Sequence, residues 1–259
     1  MKAVFLDYDG TLYSHQNGRI PDSAVSALRT LKKRGVKTVL STGRHISELR
    51  RMEELRRVEF DAFVTVNGAV SYDRNGIIKA FPIEKEDIMT TYAWLKAHPM
   101  GVQFLEAEEN WVNLVNEHVR YSLSRINEPV PKIMPLKRIL EVPVYQMIPY
   151  GIKDAEPLLA RLKGVQALSW FDDDAIDLVH ADAGKPAGIQ AVLDYWDIPV
   201  SETIAFGDGI NDEGMLAYCG IGVAMGNGEE KLKAMADYVT DSIDQDGLAN
   251  ALKHFGMTD

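Results

Sequence analysis

Residues 1–11 read MKAVFLDYDGT. Val4, Phe5 and Leu6 form a short continuous apolar run, the pattern of a strand covered on both faces in a parallel sheet. Asp7, Asp9 and Gly10 follow at once. Residues two apart in extended chain point the same way, so both carboxylates can converge just past the strand's carboxyl end. Open α/β sheets bind ligands at that edge. Two anions so close repel unless a proton or a cation lies between them, and the pair therefore suggests a divalent metal. Asp and Gly are also turn residues, and a plain surface turn is the competing reading of these letters taken alone.

Working outward, the same grammar recurs at both ends of the chain. After a short loop over Leu12–Ile20, Pro21-Asp22-Ser23 opens a helix with Val25, Leu28 and Leu31 at helical spacing, closed by Gly35. Val36–Leu40 reads as the next strand, ending in Ser41-Thr42-Gly43-Arg44, and a helix is expected over His45–Arg57. A third strand, Asp61–Val66, leads through an Asn67-Gly68 turn to a hairpin around Asp73-Arg74-Asn75-Gly76. From about Phe81 helices and adjacent strands mix without βα alternation, ending in strands expected at Val165–Phe171 and Ala175–His180. Alternation resumes where Gly184-Lys185-Pro186 opens a helix through Trp196. A buried-type strand, Thr203–Phe206, then ends in Gly207-Asp208-Gly209-Ile210-Asn211-Asp212. The expected fold class is α/β: a Rossmann-like parallel sheet core flanked by helices, from residues 1–81 and 184–259, with an α+β domain of residues 82–183 inserted.

The 259 residues are 46% hydrophobic and 25% charged, ordinary values for a soluble globular protein with a sizeable core. A formal net charge of -10 repels polyphosphate backbones, so nucleic acid is not an expected partner. An anionic small molecule would need a locally positive pocket. Cys219 is the only cysteine, which excludes an internal disulfide and a thiolate zinc cluster; its expected role is core packing. No signal-peptide pattern precedes the first strand and no apolar run approaches ~18 residues, so a cytoplasmic protein without a membrane partner is expected. Oligomeric state is not legible.

Asp7/Asp9, Thr42-Gly43 and Asp208/Asn211/Asp212 all follow expected strands, and Lys185 begins a helix. A fold that gathers strand ends along one edge brings them together. Asp7 and Asp208 can hold Mg²⁺, a hard cation that prefers oxygen. Lys185, Thr42 and Asn211 offer a cation, a hydroxyl and an amide to a phosphoryl group. A carboxylate can attack phosphorus when a metal screens the repulsion.

In order and spacing these motifs resemble those of the haloacid dehalogenase-like hydrolases, specifically the Cof-type branch with a type IIB cap, over essentially the whole chain. The resemblance implies a Mg²⁺-dependent phosphatase acting on a small phosphorylated metabolite, such as a sugar phosphate, through an aspartyl-phosphate. It implies Asp7 as nucleophile and Asp9 as general acid and base, with the Asp9 backbone carbonyl on the metal. It places Tyr8, Thr42, Gly43, Lys185 and Asn211 around the phosphoryl group, and Asp208 and Asp212 with Asp7 and Asp9 at Mg²⁺. Residues of about 82–183 would be a mobile cap that excludes water and contacts substrate. One departure is that Pro186-Ala187-Gly188 follows Lys185 where relatives more often carry Lys-Gly, and proline suits the first turn of a helix.

Two rival functions remain compatible. A phosphomutase or phosphotransferase of the same fold would return the phosphoryl group to an alcohol. A non-catalytic acyl-phosphate switch would have no leaving alcohol for Asp9 to protonate, which argues against it. In the insert, His118, Arg120, Trp170 and His180 are candidate substrate contacts for which packing or surface roles are expected. Asp172-Asp173-Asp174 reads as an acidic turn, and Gly184-Lys185 lacks the glycine spacing of a P-loop.

Overall fold

The computed structural model describes residues 1–169 and 174–259; Trp170, Phe171, Asp172 and Asp173, on which three of the sequence readings bear, lie outside the described residues. The chain divides into two compact units, one of residues 1–44, 48–79 and 184–259, the other of residues 45–47 and 80–183. In chain order the strands are β1 Ala3–Leu6, β2 Lys37–Ser41, β3 Ala62–Thr65, β4 Val70–Asp73, β5 Gly76–Ala80, β6 Val102–Leu105, β7 Asn110–Val112, β8 Lys132–Ile133, β9 Gln146–Pro149, β10 Val165–Ser169, β11 Ile176–His180, β12 Thr203–Gly207, β13 Ile221–Ala224 and β14 Tyr238–Val239.

The first unit carries the sheet β14-β13-β12-β1-β2-β3-β4-β5. Neighbours from β14 to β3 are parallel, and the β4–β5 hairpin adds an antiparallel edge beyond β3. Strand order reverses at β1, which has β2 on one side and β12 on the other. Such a switch point opens a crevice at the strands' carboxyl ends. Leu6 is in register with both Leu40 and Phe206, so Asp7 emerges level with Ser41 and Gly207.

Every residue of β1 is fully buried, as a central strand with two covered faces requires. Ala3 and Phe5 pack with Val39, Val64 and Ala205 against Ile189, Val192 and Leu193 of the helix Lys185–Trp196. Val4 and Leu6, one step out of phase, face the other side. Burial of Phe5 alone stabilises the unit by about 2–3 kcal/mol. Cys219 joins this cluster, and burial pushes its thiol up to about 12, which suits packing and not nucleophilic chemistry.

The helix expected over His45–Arg57 is broken into a short helix, Ile46–Leu49, and a 3₁₀ turn, Glu53–Arg57. The apolar positions Ile46, Leu49, Met52, Leu55 and Val58 recur every three residues. That period fits the 3₁₀ repeat of 3.0 residues per turn better than an α-helix.

The second unit is a six-stranded sheet, β10-β11-β9-β6-β7-β8, antiparallel except for the β7–β8 pair. Phe104 and Trp111 stack in its core at 4.7 Å. The buried Glu106 carboxylate accepts from Trp111 Nε1 at 2.8 Å and from Arg138 in a two-pronged contact, so its charge is matched. His45 belongs to this unit because its fully buried ring bonds the Glu106 carbonyl at 2.8 Å. His118 pairs with Asp174 at 3.0 Å and His180 with Glu84 at 3.2 Å, while Arg120 is exposed. Among the described residues no helix is long and apolar enough to cross a membrane.

Candidate active site

Three strand ends and one helix start converge in the first unit. Lys185, at the start of its helix and 3% exposed, donates from Nζ to Asp7 Oδ1 at 2.7 Å and to Asp212 Oδ1 at 2.5 Å. Asp212 Oδ2 accepts from the backbone N–H groups of Asp208 and Gly209 at 3.0 and 3.1 Å, which shapes the turn after β12. Thr11 donates to Asp208 Oδ1 at 2.9 Å. Gly10 has φ +75°, and a Cβ there would run into Asp208 Oδ2, so only glycine lets the first loop close over Asp208. Thr42 is buried, its hydroxyl accepting from the Arg44 amide at 3.1 Å. Asn211 is exposed on the turn after Gly209.

Asp9 points elsewhere. Its carboxylate receives Arg44 Nε at 2.7 Å and Nη2 at 2.8 Å, and lies 2.9 Å from His15 Nε2. Burial would raise its pKa, but the hydrogen bonds from His15 and Arg44 outweigh that and hold it at about 2. The Tyr8 ring, 2% exposed, stacks on Tyr13 at 5.3 Å with Arg44 above it at 5.6 Å, so of Tyr8 only the main chain is left to face the Asp7 side. Burial, then the Asp9 charge, pushes its phenol up. Arg44 and His15 are partners the motifs do not announce. Arg44 is visible in Ser41-Thr42-Gly43-Arg44, but its 35-residue separation from Asp9 hides the pairing. His15 stands in a loop with no pattern to mark it.

Asp7, Asp208 and Asp212 each offer one carboxylate oxygen, all within 4.8 Å of one another. One ammonium cannot balance three carboxylates in a buried site. Burial, then repulsion from Asp212, accordingly raises Asp7 well above the ordinary range and Asp208 to about 6, while Lys185 is held charged against the cost of its own burial by Asp212 and Asp7. An all-oxygen donor set with surplus negative charge fits a hard divalent cation. The Asp9 carboxylate is not part of this cluster.

A parallel sheet with a carboxylate cluster and one lysine at its switch point places a candidate cation site at the ligand-binding edge of an α/β fold. The sequence profile of haloacid dehalogenase-like hydrolases matches residues 4–252, and the chain belongs to that family, in its phosphatase class. It is similar to the phosphatase BT1666 of Bacteroides thetaiotaomicron, 33% identical across 100% of this chain and 96% of that one with a TM-score of 0.88. The subclass IIB sugar phosphatase BT4131 is 31% identical across the full length of both chains, with a TM-score of 0.83. The 5-amino-6-(5-phospho-D-ribitylamino)uracil phosphatase YcsE of Bacillus subtilis is 26% identical over 98% of this chain and 96% of that one.

Proposed function

We propose that the chain hydrolyses small phosphomonoesters, sugar phosphates or similar metabolites, with Mg²⁺ as cofactor and an aspartyl-phosphate on Asp7. The observation that carries this reading is the buried contact of Lys185 with Asp7 and Asp212 beside Asp208, with Asp9 two residues from Asp7 on the same loop. Asp7, Asp208 and the Asp9 carbonyl, supported by Asp212, would hold Mg²⁺, which when bound neutralises the carboxylates and the phosphoryl oxygens.

The chain's own groups do the rest. Lys185, the Thr42 hydroxyl, the Asn211 amide and the main-chain N–H groups of Tyr8 and Gly43 hold the phosphoryl oxygens. An Asp7 oxygen bonds to phosphorus as the bond to the leaving alcohol breaks, and Asp9 gives that alkoxide a proton. Asp9 then takes a proton from a water whose oxygen bonds to phosphorus. The phosphorus bond to Asp7 breaks, and inorganic phosphate leaves. For both transfers Asp9 must exchange its Arg44 and His15 contacts for the reacting oxygen. The inserted unit would act as the cap that contacts substrate.

Phosphate release measured over sugar phosphates, nucleotides and cofactor phosphates, with and without Mg²⁺, tests the reading. Absence of released phosphate together with a bisphosphate requirement would point instead to a phosphomutase.

The charge imbalance makes a separate prediction. Acids whose pKa is raised on folding bind protons more tightly folded than unfolded, so the metal-free protein loses stability as pH rises from about 4 through about 6 and beyond. Mg²⁺ well above its Kd should raise Tm by about 5 °C or more at pH 7.5, and by clearly less at pH 5. Equal shifts at the two pH values in a thermal melt would count against the cluster as the binding site.

A further inference from the structure

Three successive residues between β3 and β4 are left-handed: Val66 at φ +54°, Asn67 at +51° and Gly68 at +88°. Glycine adopts this region freely and asparagine tolerates it, but a β-branched residue there is a genuine outlier. Val66 is fully buried and Asn67 6% exposed, so surrounding structure imposes the turn. Val66 N donates to the Arg44 carbonyl and Asn67 N to the Thr42 carbonyl, each at 3.2 Å. A Cβ on Gly43 would lie 2.9 Å from Asn67 Oδ1. On the far side, a Cβ on Gly68 would run into the Gly184 carbonyl oxygen and lie 2.7 Å from the Lys185 amide nitrogen. The turn is thus wedged between the Thr42–Arg44 loop and the first residue of the Lys185 helix, all within the first unit.

Resting on the assignment of Thr42, Gly43 and Lys185 to the phosphoryl group, we propose that Val66-Asn67-Gly68 is a positioning element that sets the distance between those two phosphate-holding segments. Asn67 is its key, through backbone tolerance of positive φ. It reaches the reaction only through Thr42, Gly43 and Lys185. Strain stored at such a turn is a cost that a spacing role explains and that an ordinary β-turn would avoid.

The test is calorimetric titration of Mg²⁺-loaded protein with inorganic phosphate, beside kcat and Tm, for wild type, Asn67→Ala and Asn67→Gly. Alanine resists positive φ and should weaken phosphate binding about tenfold or more, with kcat falling alongside. Glycine accepts the turn without the side chain and should recover most of both, even if its Tm stays low. Glycine as poor as alanine would overturn the proposal, and this arm decides it should Asn67→Ala not fold. Variants that lose only Tm, with Kd and kcat at wild-type values, would also overturn it. A wild type that binds phosphate yet releases none would defeat the hydrolytic reading instead, while the Kd series still decides the role of the turn.

Discussion

Asp7→Asn should lower kcat on the order of 10⁴-fold or more, while the metal-free variant melts at the wild-type temperature or above it at pH 7.5. The first effect follows from the nucleophile's role proposed for Asp7. An amide has no anionic oxygen to bond to phosphorus, and the other two carboxylates of the cluster are engaged, Asp212 by Lys185 and two backbone N–H groups, and Asp208 by the Thr11 hydroxyl and, in the proposed function, by the metal. The second follows from burial. Asp7 is raised well above the ordinary carboxyl range by desolvation and by Asp212, so its ionised form is a liability to the folded state once pH exceeds about 4. An amide of the same shape removes the liability, and Lys185 keeps Asp212 as a partner. The stability difference should therefore shrink as pH falls toward 4. A variant retaining a tenth of wild-type phosphate release would remove Asp7 from the nucleophile's role, whatever its Tm.

The two halves of that prediction draw on different sources. That Asp7 sits at a strand's end is legible in Val4-Phe5-Leu6 and in the turn chemistry that follows, because apolar runs and their terminators are local properties. The same local signals locate Thr42 after β2 and Asp208 after β12, and a parallel α/β sheet has few ways to assemble such strands. Convergence of Asp7, Lys185, Asp208 and Asp212 is thus legible in the sequence. The charge imbalance could not, because it depends on depth. Sequence shows four ionisable groups but not that Lys185, Asp7 and Asp212 are each at most 5% exposed.

Features that arise between distant segments were hidden for the same reason. Arg44 on Asp9 joins two loops that each look self-sufficient. Asn67-Gly68 reads as an ordinary turn, and only its wedge between Gly43 and Gly184 shows that Val66 is drawn into a left-handed conformation. The broken helix after His45 is a different failure. Its threefold apolar spacing was present in the letters, and the absence of a 3.6-residue stripe argued for a 3₁₀ turn from the start.

Asp9→Asn should separate the two chemical steps. In this structure the Asp9 carboxyl, held at about 2 by His15 and Arg44, is ionised at neutral pH and has no proton to give. In the proposed mechanism the Arg44 contact opens and the leaving oxygen takes its place. An alkyl leaving group depends on that proton, and Asp9→Asn should slow its release by about 10²–10⁴-fold. An aryl leaving group such as p-nitrophenolate departs without protonation, so the first step should survive. The second step still lacks a base to activate water, so the phosphoryl group should remain on Asp7. The expected record is a burst of p-nitrophenol near one equivalent per active site, followed by a slow steady state, with acid-stable, hydroxylamine-sensitive phosphate on the protein. Alkyl phosphate turnover at wild-type rates would refute the acid role. A slowed p-nitrophenyl reaction with no burst would show that Asp9 is needed for formation of the intermediate itself, as a group that orients Arg44 and the loop and not as a proton carrier.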